Sequence, residues 1–313
     1  MNANTRSNKT VLIVGGTSID TIIHLPAPLT GEPKTIWAKK AYKAVGGTGA
    51  GKALNLARLG FPVLMHSILG RDAEAQQIIK TCDHPNIKLV VDYLDEPTEQ
   101  HTNLMAPTGE RISLYTIPPC ESPALDWQFL EAAIDTIDIA AISILNYTRP
   151  SLAIARAAGK AVWIDLHDYD GKNPYHQAFI DAADVIFVAS DNLPDYKTFM
   201  REQVAAGKEF VVCTHGKAGS TALDSQGNWY ECGIATGYPL VDSNGAGDAY
   251  FSGFLYAYGR GKTLQESMQY GATVAAMCIN SEHLYPENLA PEILEQHYAV
   301  QLKANTFTSA PGL

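Results

Sequence analysis

Several large protein classes are excluded by what this sequence has little of. Its 313 residues hold five cysteines (Cys82, Cys120, Cys213, Cys232 and Cys278), an odd number with no C-x-x-C pair. That excludes a disulfide framework and a zinc knuckle and leaves buried, reduced thiols. No apolar run approaches the roughly eighteen residues needed to cross a bilayer, and "MNANTRSNKT" lacks the apolar stretch of a secretory leader. A cytoplasmic protein with no membrane partner is expected. Positive charge is also short, with 23 Lys and Arg against 33 Asp and Glu and a net charge of -10. A sequence-independent nucleic-acid binder needs a basic surface to displace counterions, so that class is excluded too, although a nucleotide ligand is not. There is no internal repeat and no low-complexity tract.

What is present is an alternation of strand and helix signals. "TVLIVGG" (10–16), "VWIDL" (162–166), "DVIFVAS" (184–190) and "EFVVCTHG" (209–216) are short apolar runs of the kind buried on both faces. Between them, "DWQFLEAAIDTID" (126–138), "PSLAIARAAG" (150–159) and "PYHQAFIDAA" (174–183) carry apolar residues at helical spacing. This order predicts a doubly wound α/β fold, a mostly parallel sheet covered by helices. "DTIIHLP" (20–26) and "QHTNLMAPTGERISLYTI" (100–117) alternate polar and apolar residues instead, the second turning at Pro107-Thr108-Gly109-Glu110. With the half-exposed arm "TIWAKKAYKAV" (35–45), such strands would form a small β-sheet lid from about 20–45 and 98–117 on a single domain spanning 1–313. Residues 1–9 and 305–313 read as loose tails.

"GGTGAGKA" (46–53) has the outline of a Walker A loop, G-x-x-x-x-G-K-[ST]. Its last position is Ala53, which has no hydroxyl for Mg²⁺, and the segment before it is studded with lysines rather than being a buried strand. These glycines need another explanation.

The segment richest in chemistry is "VDSNGAGDAYFSGFLYAYGRG" (241–261). Small residues at Gly245, Ala246 and Gly247 leave the amides at a helix start unobstructed, which makes an anion hole. Asp248 sits in the same turn. By itself "GAGD" equally describes a glycine-rich helix start with an Asp cap. A carboxylate beside an anion site suits phosphoryl transfer to an alcohol, with Asp248 as base and the three amides holding charge on the moving group.

Residues 242–253, "DSNGAGDAYFSG", resemble the C-terminal signature of ribokinase-like, PfkB-type carbohydrate kinases, D-[TS]-x-G-A-G-D-x-[FY]-x-x-G, at every defined position. "GGTGAGKALNLARLG" (46–60) is similar in length and frame to that family's N-terminal stretch G-G-x-G-A-N-x-A followed by R-L-G. The resemblance implies a ribokinase-like fold, ATP with Mg²⁺, and a sugar or nucleoside acceptor. It implies that Gly46 and Gly47 line the acceptor site, with Gly51 and Arg111 on the same side, and that Lys52 faces solvent. Asp20 in "GGTSID" would read adjacent hydroxyls. "THGKAG" implies Thr214, Gly216 and Gly219 near the nucleotide, together with Asn244, Gly245 and Gly247. It also implies a possible homodimer through the lid.

The resemblance breaks at named places. Gly51 stands where the family has a substrate-contacting Asn. The family's N-x-x-E element is "SDNLPD" (190–195) here, so that either Ser190 and Leu193 or the shifted pair Asn192 and Asp195, the latter near Mg²⁺, would replace it. Asp242 and Asn244 lie near the family's monovalent-ion site, but the loop Ser281-Glu282-His283 lacks the usual glycine, leaving a K⁺ requirement open. Asp165, His167, Asp168 and Asp170 cluster in "WIDLHDYDG" without metal-ligand spacing and read as a polar active-site loop. The leading expectation is an ATP-dependent kinase acting on a hydroxymethyl group of a sugar or sugar-like molecule. The alternatives are a nucleoside kinase of the same family and a sugar-binding sensor without turnover.

Overall fold

The structure, a computed structural model, describes residues 9–109 and 111–307. Its main sheet has nine strands in the order β13 (Trp229–Cys232), β12 (Ser220–Asp224), β11 (Phe210–Thr214), β10 (Val185–Ala189), β9 (Ala161–Asp165), β8 (Ile139–Ile142), β1 (Val11–Val14), β4 (Val63–Leu69) and β5 (Ile87–Tyr93). All neighbours from β11 to β5 run parallel, and the two remaining pairs, β11–β12 and β12–β13, are antiparallel. The fold is therefore the expected mostly parallel α/β sheet.

Both faces are covered because successive side chains of a strand point to opposite sides. Val11 and Ile13 join one core with helices α1 (Thr48–Arg58), α2 (Ala73–Thr81), α7 (Ala246–Tyr258), α8 (Leu264–Cys278) and α9 (Pro291–Ala304). Leu12 and Val14 join the opposite core with α3 (Gln128–Ala133), α4 (Arg149–Ala157), α5 (Gln177–Ala182) and α6 (Tyr196–Ala205). Trp163, 2% exposed, anchors the first core against Phe187, Phe210, Phe251 and Phe254. The helix expected over 126–138 is shorter, since α3 ends at Ala133 and the chain tightens into a 3-10 turn at Ile134–Thr136.

A second sheet, in the order β3 (Lys40–Gly46), β2 (Ser18–His24), β6 (Gln100–Met105) and β7 (Arg111–Ile117), is separate from the first. Its register puts Asp20 beside His101 and Ala44, and His101 beside Tyr115. With a side-chain period of two, Ser18, Asp20, Tyr42, Gly46, His101, Asn103, Arg111 and Tyr115 therefore share one face. The turn between β6 and β7 is closed by the Gly109 amide bonding to the Ala106 carbonyl at 3.0 Å, with Gly109 at φ 98. Glu110 lies outside the described residues.

The tail expected from 305 does not begin there. Phe307 is 7% exposed against Tyr298, and its carbonyl accepts the Gly233 amide at 2.9 Å. Residues 1–8 and 308–313 of the expected tails lie outside the described residues.

Candidate active site

The C-terminal ends of parallel strands face the ligand side of such sheets. Here the ends of β1 and β9, the start of α1, the start of α7 and the polar face of the second sheet converge. Helix α7 starts at Gly245, whose left-handed φ of 78 turns the chain into the helix without a capping side chain. Ahead of it the Asn244 amide bonds to Asp242 Oδ1 at 2.8 Å, shaping the turn. Three amides at this start, those of Gly245, Gly247 and Asp248, have no acceptor among the described residues. The expected trio included Ala246 instead. Its amide is turned back onto the Ser243 carbonyl at 3.3 Å, and the Asp248 amide takes its place among the free donors.

Asp248, in the first turn of α7, meets a cation that the sequence reading put elsewhere. Lys52 was expected to face solvent; it is 5% exposed, with Nζ 2.6 Å from Asp248 Oδ1 and 3.1 Å from Asp165 Oδ2. The reason lies in α1, which buries nine of its eleven residues and so gives a lysine at this position no path to water. Thr48, one turn earlier on the same helix face, donates from Oγ1 to Asp248 Oδ1 at 2.5 Å and is itself hydrogen-bonded to Lys52. Burial works against the Lys52 charge, but the Asp248 and Asp165 carboxylates outweigh it and raise its pKa. Burial likewise works against ionised Asp165, yet His167 and Lys52 hold its carboxyl at about 2.

Gly51 sits beneath this cluster. A Cβ there would lie 2.6 Å from Asp248 Oδ2, so the position that carries an Asn in the resembling family has no room for any side chain.

On the facing sheet Asp20 is 2% exposed and accepts from Ser18 Oγ at 2.6 Å and Asn103 Nδ2 at 2.8 Å. Asn244 Nδ2 approaches it at 3.4 Å and so joins the two signatures. His101 lies between Asp20 (3.4 Å) and Glu99 (2.7 Å), with the Tyr115 ring 4.1 Å from its own. Burial disfavours His101 protonation, but Glu99 and Asp20 outweigh it and raise its pKa; burial raises that of Glu99. Gly46 lies against Asp20, whose carboxyl carbon is 2.1 Å from where a Cβ would be. Gly47, at φ 88, starts α1. Arg111 reaches across from β7 to Asn244 Oδ1 at 2.7 Å, and Ser243 Oγ bonds to the Gly109 carbonyl at 3.1 Å, so the β6–β7 turn is tied to the loop ahead of α7.

On the other side, Thr214 ends β11, and Gly216 and Gly219 flank a 3-10 turn, both at positive φ. The intervening His215 is held by Ser190 at 2.9 Å and Thr221 at 3.0 Å. Of the two replacements considered for N-x-x-E, neither forms a carboxylate site. Leu193 is 5% exposed in the apolar core, and Asn192 donates to the Asp168 carbonyl at 3.1 Å. Asp195, expected near Mg²⁺, is exposed and caps α6 by accepting the Thr198 amide at 3.3 Å. Asp242 is 3% exposed, and both of its oxygens are taken, by Tyr42 Oη at 2.6 Å and the Asn244 amide. Among the described residues no group of three or more His, Cys, Asp and Glu is arranged to hold a metal.

Lys52, Thr48, Tyr42, Glu99, His101 and Asn103 were missed from the sequence. The i, i+4 spacing of Thr48 and Lys52 within a run of Gly, Ala and Leu was the one available signal for the first pair.

The sheet, the small facing sheet and the glycine-started helix with its acidic first turn define a ribokinase-like kinase architecture. The model of the pfkB family of carbohydrate kinases matches residues 8–289, and the chain belongs to that family. It is similar to the acarbose 7(IV)-phosphotransferase of Actinoplanes sp., 29% identical over 276 residues that cover 85% of this chain and 90% of that protein. Among solved structures, the microbiome-derived acarbose kinase Mak1 matches with a TM-score of 0.81 and 27% identity, covering 94% of this chain and 99% of that one. Arabidopsis thaliana ribokinase complexed with ribose and ATP shares the fold, with a TM-score of 0.73 and 19% identity over 93% of this chain and 99% of that one.

Proposed function

We propose that the protein transfers the γ-phosphoryl group of Mg-ATP to a hydroxymethyl group of a sugar or sugar-like acceptor. The observation that carries this reading is Asp248. One of its oxygens is tied down by Lys52 and Thr48, the other accepts no hydrogen bond among the described residues, and unpaired amides lie in the same helix turn. Asp248 Oδ2 takes the proton of the acceptor hydroxyl as that oxygen forms its bond to the γ-phosphorus. The bond from the γ-phosphorus to the β,γ-bridging oxygen breaks and ADP leaves with that oxygen. The amides of Gly245, Gly247 and Asp248 stabilise charge on the transferring group, supported by the helix dipole.

The acceptor lies against the face that carries Asp20, His101, Asn103 and Tyr115. Asp20 and Asn103 read adjacent hydroxyls, and Tyr115 offers an apolar ring face. This face is acidic, and Arg111 is already bonded to Asn244, so it suits an uncharged acceptor better than a phosphorylated one. The nucleotide lies against Thr214, Gly216 and Gly219. Mg²⁺ neutralises the β- and γ-oxygens; the described residues offer no carboxylate cage for it, which suits an ion carried in by phosphate and water. Asp242 accepts one hydrogen bond on each oxygen, from Tyr42 and from the Asn244 amide, which leaves a lone pair on both.

The test is ADP release from Mg-ATP across neutral mono- and oligosaccharides, pseudo-sugars, nucleosides and sugar phosphates, with the product's mass read in parallel. One neutral polyol that gains a single phosphoryl group supports the reading. A nucleoside turned over in its place moves the assignment to nucleoside kinase. An acceptor that raises the melting temperature without turnover supports a sensor.

A further inference from the structure

Lys52 neither moves a proton nor touches substrate in the reaction as read above, yet it is a deeply buried cation in the site. A buried lysine needs partners that repay the loss of water, and this one has two carboxylates. Asp165 at the end of β9 holds it from the sheet, and Asp248 holds it from α7. The groups facing the cluster are Asp248, Asp165, His167, whose Nδ1 is 3.7 Å from Asp165, the Phe251 ring 5.1 Å from Lys52 Nζ, and Cys278 at the end of α8. Burial, with the Asp248 and Asp242 charges adding to it, keeps that thiol protonated.

Both polar contacts to Asp248 from α1 go to the same oxygen, Oδ1. A carboxylate held at one oxygen by a hydroxyl and an ammonium has its other oxygen fixed in direction. That other oxygen, Oδ2, lies over Gly51, within 2.6 Å of where a Cβ would stand. Gly51, the departure from the family's N-terminal pattern, and Lys52, at the undefined position that follows it, thus meet on one carboxylate. We propose that Lys52 is a positioning residue for Asp248: with Thr48 it clamps Oδ1, so that Oδ2 is turned over Gly51 and presented to the acceptor hydroxyl. This rests on the reading of Asp248 as the base.

A double-mutant cycle at residues 51 and 52, with Asp248→Asn run beside it, tests the clamp. Lys52→Met is expected to lower kcat by about 100-fold while the acceptor KM changes by less than about threefold, because orientation is lost and acceptor contacts are kept. The acid limb of its kcat/KM profile moves to higher pH, since Lys52 is one of the groups that hold the Asp165 carboxyl low. Gly51→Ala is expected to lower kcat by about 30-fold when Lys52 is present and by less than about threefold in the Lys52→Met background, where Asp248 is free to swing away. Lys52→Met with near wild-type kcat, or strictly additive losses at the two positions, overturns the clamp. If Lys52→Met does not fold, Gly51→Ala alone decides, and wild-type kcat in that variant overturns the proposal. Asp248→Asn at wild-type turnover overturns the base reading and the clamp with it, whereas an inactive Asp248→Asn beside a fully active Lys52→Met overturns the clamp alone.

Discussion

The two glycine-rich segments, 46–51 and 245–247, look alike in the sequence and serve opposite geometric ends. In the first, glycines stand where carboxylates need the space. Asp20 fills the volume that a Cβ at Gly46 would take, and Asp248 fills that at Gly51. In the second, Gly245 turns the chain into α7, and a Cβ at Gly247 would meet nothing within 4 Å. One segment is crowded and places acids. The other packs Gly245 against Leu284 but is open at Gly247, and it leaves amides free to meet an anion. Glycine enrichment alone therefore does not say which side of a phosphoryl-transfer site a segment belongs to; the neighbours do.

Substitutions that add a single methyl group to each segment would sharpen this contrast. The largest effect is expected from Gly46→Ala. The Asp20 carboxyl it would strike is anchored by Ser18 and Asn103, so the strain cannot be relieved by one rotation. A loss of about 3 kcal/mol in urea unfolding is expected, with weakened acceptor binding.

A second effect belongs to the charges that the first segment accommodates. The Asp165 carboxyl is held at about 2 against an ordinary value of 3.8, so its contribution of about 2 kcal/mol is present above roughly pH 4 and is lost as pH falls through about 2. Urea titrations from pH 5 to 2 should show that loss in the wild type and its absence in Asp165→Asn.

The smallest effect on stability is expected from Gly247→Ala. The backbone there is ordinary helix and the space is open, so the melting temperature should hold or rise slightly, alanine being the better helix former. The methyl group would project at the phosphate side, and a fall of about tenfold in kcat/KM for ATP is expected. Equal stability changes at Gly46 and Gly247 would break the contrast.

The same comparison explains how much could be read from the sequence. Strands β1, β9, β10 and β11 were legible because burial on both faces leaves continuous apolar runs. The helix start at Gly245 was legible because a left-handed turn and a first-turn acid are local features. Lys52 was not, because its neighbours Asp165 and Asp248 are 113 and 196 residues away in the chain, and a lysine between apolar residues reads as surface until the helix carrying it is known to be buried. Asp195 has a local task of its own: an exposed acid just ahead of a helix satisfies that helix's own amides, and motif spacing alone does not distinguish a cap from a metal ligand. His101 was hidden within an alternating strand whose register with β2, set by tertiary pairing, decides which face meets Asp20, and Glu99 lies just ahead of that strand.

The most direct measurement of the central claim is single-turnover phosphoryl transfer by Asp248→Asn, with ATP and acceptor affinities measured on the same protein by calorimetry. The account predicts that the variant binds both ligands within a few-fold of wild type and transfers the phosphoryl group about a thousandfold more slowly, the loss expected of a missing general base. Transfer at the wild-type rate by a variant that binds both ligands would contradict it.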